Sequence, residues 1–209
     1  MFIGIAGIIG AGKSTLTRDL AQALGYEAFY EPVKENVYLA DFYKDMNRWG
    51  AMMQLYLLSK RFEQHQRVVW ASAKGAVQDR TIYEDTIFAR MLHESGQIDA
   101  RDYETYTSHF HIMKRFLVYP DLLVYLQVDP PKALERIGQR ARVVERGITL
   151  EYLDRLAEGY EQFAAEMGRY TRVLTIDWNE YRPTSEVVRL VEDEVKNTPL
   201  QFLRDLKPI

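Results

Sequence analysis

Phe2-Ile3-Gly4-Ile5-Ala6 runs without a break into Gly7-Ile8-Ile9-Gly10-Ala11-Gly12-Lys13-Ser14-Thr15, and this junction decides the fold. The first five residues are continuously apolar, as in a short strand buried on both faces of a parallel sheet. The next eight match G-x-x-x-x-G-K-[ST] in full, between a predicted strand and a predicted helix as that motif requires. With glycine at its average usage, a chance match in a chain of 209 residues has odds of about one in a hundred. Glycines let backbone bend around phosphate oxygens, and the N–H groups at the start of the following helix add donors and partial positive charge. Gly7, Gly10, Ala11, Gly12, Lys13, Ser14 and Thr15 are therefore expected to cradle a nucleotide, with Lys13 bridging its β- and γ-phosphates and Ser14 offering a hydroxyl to Mg²⁺.

Outward from this turn the chain alternates strands and helices. A helix is predicted from Lys13 to Leu24, with Gly25 as its stop, followed by a strand at Glu27 to Tyr30 that ends at Glu31-Pro32. Helical patterns run from about Asn47 to Val69, Tyr83 to His93, Ala100 to Leu117, from Pro130 onward, Leu150 to Met167 and Thr184 to Val195. Further strands are predicted at Gly75 to Asp79, Leu122 to Val128 and Val173 to Ile176. The pattern implies one α/β domain over residues 1–209, built on a central five-stranded parallel sheet flanked by helices.

Composition narrows the partners. A net charge of -3 argues against a surface that coats nucleic acid, which needs clustered cations. The absence of cysteine rules out disulfides and fits a reducing cytoplasm. No apolar run reaches the ~20 residues that span a bilayer, and the apolar start reads as a strand rather than a signal peptide. His65, His93, His109 and His111 form no metal-ligand spacing with neighbouring carboxylates and are read as structural or exposed.

The acceptor must be read from other residues. Glu31 stands at the carboxyl end of the second strand, the end that faces the ligand crevice in an open parallel sheet. An alcohol attacking phosphorus must lose a proton, and a carboxylate there can take it, whereas an anionic acceptor would be repelled. Asp79-Arg80 closes the third strand at the same edge, so Asp79 is placed to hold Mg²⁺ with Ser14, and Arg80 to orient Glu31 or the transferring phosphoryl group. Arg136-Ile137-Gly138-Gln139-Arg140-Ala141-Arg142 puts two arginines on one helical face with a third beyond, as in an arginine-rich lid over about 136–148 that closes on ATP.

These motifs together resemble the deoxynucleoside kinase family, with its P-loop kinase fold. Glu31-Pro32-Val33 is similar to that family's E-P-V, whose glutamate is the base for the 5′-hydroxyl, and Asp79-Arg80-Thr81 to its [ED]-R-S. The resemblance implies that Tyr43 and Glu145 hold the sugar 3′-hydroxyl, that Gln54, Arg61 and Asp85 face the base, that Phe88 stacks on it, and that Arg136, Arg140 and Arg142 are the lid arginines. It also implies ATP as donor, a deoxynucleoside acceptor, with adenine or guanine favoured, and a homodimer. A nucleoside monophosphate kinase of the thymidylate kinase type shares the P-loop, the D-R pair and the lid, and is the nearest rival. Lys34-Glu35-Asn36 stands where the family often carries tryptophan, and Met53 precedes Gln54 where an aromatic is common.

Glu31→Gln is expected to lower kcat at least ~10²-fold with little change in ATP binding. Steady-state kinetics beside an ATP-binding titration check this, and retained turnover removes Glu31 as the base.

Overall fold

The computed structural model describes residues 1–31, 36–140 and 147–197, so Pro32, Val33, Arg142 and Glu145 lie outside the described residues. Five strands, β1 (Phe2–Ala6), β2 (Glu27–Phe29), β3 (Ala76–Asp79), β4 (Leu122–Gln127) and β5 (Arg172–Asp177), form one sheet in the order β2-β3-β1-β4-β5. Every pairing is parallel, with Ile3 opposite Val77 on one side and Leu122 on the other. β1 is therefore central between β3 and β4: the chain fills one side with β2 and β3, then crosses to β4 and β5 on the other. Ligand crevices open at such a switch point, beyond the carboxyl ends of the strands.

The helices are α1 (Lys13–Leu24), α2 (Leu39–Lys44), α3 (Met46–Ala71), α4 (Asp85–Glu94), α5 (Ala100–Lys114), α6 (Pro130–Arg140), α7 (Leu150–Met167) and α8 (Thr184–Asn197). Their ends follow local chemistry. Gly25, at φ 68, stops α1 and returns its N–H to the Ala21 and Gln22 carbonyls. Asp45, Asp99 and Thr149 cap α3, α5 and α7 by accepting the N–H of the residue three places on. α1 packs on α8, while α3, α4, α5 and α7 form a contiguous layer.

The structure departs from the sequence reading at several element ends and in two elements. β2 stops at Phe29, one residue short of Tyr30. The short helix α2 was not anticipated, because six residues are too few for periodicity to register. The stretch expected as one helix from Tyr83 instead begins as a 3₁₀ turn, Ile82–Glu84, closed by a reciprocal cap between Thr81 and Glu84.

α3 buries Gly50, Met53, Gln54, Leu58, Arg61, His65 and Val68. Three of these are polar, so the core-facing stripe of α3 is interrupted by groups that need partners. His65 is fully buried and its Nε2 accepts the Val118 N–H at 3.0 Å, which requires the neutral ring. Burial lowers its pKa to about 4. The unfolded chain takes up this proton near pH 6.5 and the folded chain only near 4. The contribution of His65 to stability is therefore complete above pH ~6.5 and is lost as pH falls toward 4, up to ~3 kcal/mol. Urea unfolding of His65→Gln and the parent between pH 7 and 4.5 checks this: the parent should lose more stability on acidification, and parallel pH profiles would contradict it.

Candidate active site

The turn after β1 forms the floor of a cleft. Gly10 and Gly12 lie at φ 86 and 90, a region L side chains rarely adopt. A methyl group on Gly10 would stand 2.5 Å from the Ala133 carbonyl oxygen, so the loop is backed directly against the first turn of α6. Lys13 is buried, and its ammonium donates to the Gly7 and Ile8 carbonyls at 2.9 Å each, curling the side chain over its own loop. Burial first, then the charge of Arg80, lowers its pKa to about 8. Ser14 Oγ donates to one oxygen of Asp79 at the end of β3. The other oxygen, Oδ1, is buried without a hydrogen-bond partner.

These two oxygens fit Mg²⁺, a hard cation that takes one or two protein oxygens and fills its remaining positions with water and phosphate. Among the described residues there is no cluster of three or more His, Cys, Asp or Glu side chains that would hold a metal without the nucleotide.

Glu31, two residues beyond β2, projects into the same cleft. Its carboxylate accepts from Arg61 of α3 and lies 3.4 Å from Nε of Arg80. Burial alone would raise its pKa, but Arg80, Arg61 and Lys13 outweigh that and hold it at about 2. Arg61 also forms an ion pair with Asp85, at the start of α4. Asp85 is fully buried behind Arg61 and is not part of the cleft lining.

The cleft encloses about 1090 Å³. Gly10, Gly12, Lys13, Ser14 and Thr15 line it, as do Glu31, Tyr43, Gln54, Arg61, Asp79, Arg80, Phe88, Arg136 and Arg140. Gly7 and Ala11 are buried beneath the loop. Gln54 is buried with its side-chain carbonyl unpartnered. Phe88 lies under the Arg80 guanidinium at 4.8 Å. Arg136 donates to the Trp178 and Asn179 carbonyls at 2.9 and 2.8 Å and lies 4.2 Å over the ring of Tyr181, whose edge would meet a methyl group on Gly12 of the phosphate loop at 3.1 Å.

Sequence reading missed four residues around the cleft. Tyr152 of α7 and Tyr181, after β5, line it, and no local pattern marks either. Glu84 and Tyr160 lie behind Arg80, joined by a bond from the Tyr160 hydroxyl to the Glu84 carboxylate at 2.8 Å. The Thr81-x-x-Glu84 spacing carried a readable signal for a cap, but nothing local pointed to Tyr160.

A phosphate-binding loop at the central strand, a magnesium-suited oxygen pair and a carboxylate among cations define a phosphotransferase that acts on a hydroxyl. Residues 3–198 match the family described as deoxynucleoside kinase. The chain is 43% identical over 206 residues to a deoxyadenosine kinase of Dictyostelium discoideum, covering 99% of this chain and 83% of that protein. It is 42% identical over 164 residues to a deoxyadenosine/deoxycytidine kinase of Bacillus subtilis, covering 77% and 75%. A solved structure of deoxyadenosine kinase from M. mycoides, with products dCMP and a flexible dCDP bound, superposes with a TM-score of 0.83 at 31% identity. That match covers 95% of this chain and all of the other. The chain belongs to the deoxynucleoside kinase family.

Lys13 offers a full charge to phosphate only below its pKa. Affinity for MgATP should fall as pH rises above ~8, by up to tenfold per unit, while ATP itself no longer changes charge. Calorimetric titrations between pH 7 and 9.5 check this, and a constant Kd would contradict it.

Proposed function

We propose that this member of the family transfers the γ-phosphoryl group of MgATP to the 5′-hydroxyl of a purine deoxynucleoside, deoxyadenosine foremost. The observation that carries the reading is the Glu31 carboxylate, ionised and facing the cleft that the phosphate loop floors. The deoxyadenosine kinase at 43% identity supports the choice of base.

The 5′-oxygen attacks the γ-phosphorus, its bond to the β–γ bridging oxygen breaks, and ADP leaves. Lys13 spreads its charge over the β- and γ-phosphates. Ser14 and Asp79 would hold Mg²⁺, which would supply positive charge against the phosphate oxygens when bound. In a loose transition state the hydroxyl proton departs late, so a carboxylate held at low pKa is a sufficient acceptor. Arg80 keeps Glu31 ionised and aimed. Gln54 and Arg61, backed by Asp85, meet the base edge; unpaired groups there cost about 1–3 kcal/mol each and thereby select the base. Phe88 supplies an apolar ring, and Tyr43 with Glu145 binds the 3′-hydroxyl.

Arg136, tied to the strand-end loop after β5 and stacked on Tyr181, acts with Arg140 and Arg142 as the arginines that hold the transferring phosphoryl group. Trp70, 84% exposed near the end of α3, and the exposed Ile112, Phe116 and Val118 at and after the end of α5 are large apolar side chains of the kind a subunit interface covers, and they support a homodimer. The lack of cysteine supports a cytoplasmic setting.

A panel of the four deoxynucleosides and their 5′-monophosphates with γ-labelled ATP tests the reaction. Label is expected in dAMP first and dGMP next, with none transferred to monophosphates. Transfer to monophosphates alone would overturn the assignment of the acceptor.

A further inference from the structure

Arg80 is the only residue other than glycine with a left-handed backbone among the described residues, at φ 64. A side chain in that region is sterically penalised and persists only where its surroundings fix it. Its N–H is anchored to the Ile5 carbonyl at 3.0 Å, while its guanidinium, 3% exposed, donates to the hydroxyl of Tyr160. That hydroxyl donates onward to Glu84 Oε2 at 2.8 Å. The other oxygen of Glu84 accepts from the Thr81 N–H at 2.7 Å and lies 3.3 Å from the Thr81 hydroxyl.

Glu84 and Tyr160 are both fully buried, and neither lines the cleft. Burying a carboxylate is costly, and apolar residues of similar size generally pack as well or better. The pair therefore has to be explained by what it holds, and it holds one cation. The charged groups facing Arg80 are Glu31 beyond β2, Lys13 of α1, Asp79 of β3, and Glu84 of the 3₁₀ turn.

We propose that Glu84 and Tyr160 are positioning residues: the Tyr160 hydroxyl, oriented by Glu84, fixes the Arg80 guanidinium against Glu31. The inference rests on the reading above in which Arg80 aims the base. Without the hydroxyl, Arg80 and Glu84, already 3.9 Å apart, close into a direct ion pair and draw the guanidinium off Glu31.

The test is steady-state kinetics with thermal melting for Tyr160→Phe, Glu84→Gln, Arg80→Lys and the Tyr160→Phe/Arg80→Lys double variant. Tyr160→Phe is expected to lower kcat roughly 10- to 100-fold, since misplacement by about an ångström costs that much. Both KM values should stay within about threefold of the parent, because the binding surfaces are untouched. In the Arg80→Lys background the same change should cost nothing more. Glu84→Gln should act in the same direction more weakly, and it decides the matter if Tyr160→Phe does not fold. The proposal fails if Tyr160→Phe, or Glu84→Gln in its place, turns over like the parent. It fails equally if the loss lies in KM, or recurs in full on top of Arg80→Lys. An Arg80→Lys enzyme with parental kcat would instead sink the role given to Arg80 itself, independently of the relay.

Discussion

Three cations meet one carboxylate at the centre of this molecule. Lys13, Arg61 and Arg80 reach Glu31 from α1, α3 and β3, three elements with no continuity in the chain. Left alone, two buried guanidiniums and an ammonium would repel, and the lowered pKa of Lys13 reflects burial first and then the charge of Arg80. Glu31, Asp85 and Glu84 offset the charge of Arg61 and Arg80 from three directions, which makes the cluster an alternating array of ions. Its geometry depends on the parallel sheet, because only there do β1, β2 and β3 end along one edge. The array makes the cleft a site for anions while reserving one basic oxygen inside it.

The framework of the fold was readable because its signals are local. β1 and β4 are continuous apolar runs, buried along nearly their whole length, and the phosphate loop joins strand to helix in eight residues. Helix ends at Gly25, Asp99 and Thr149 follow from single residues. α2 escaped because a six-residue helix has less than two turns in which to show a period. The split at Glu84 between 3₁₀ and α geometry escaped because both shapes share nearly the same spacing of apolar residues.

The cleft was readable only in part. Glu31, Asp79 and Arg80 could be placed from the strand-end rule, since a parallel sheet brings its carboxyl edges together. Gln54 and Arg61 were reached only through the family resemblance, and their place on the buried stripe of α3 emerges from the fold. Tyr160 had none: it meets Glu84 across 76 positions, and its spacing within α7 is that of any core residue. Arg136 shows what local spacing leaves out. Its spacing from Arg140 marks one helical face, but the carbonyls that capture it belong to residues 42 and 43 positions away.

The close approach of Gly10 to Ala133 carries a mechanical consequence. With no room for even a methyl group between the loop and the foot of α6, the helix base is a fixed abutment. Ile137, buried one turn further on the same face, closes on the same glycine at 3.0 Å from where that methyl group would stand. The loop is thus braced from behind, and a phosphate chain seated on it would press against a post that cannot yield.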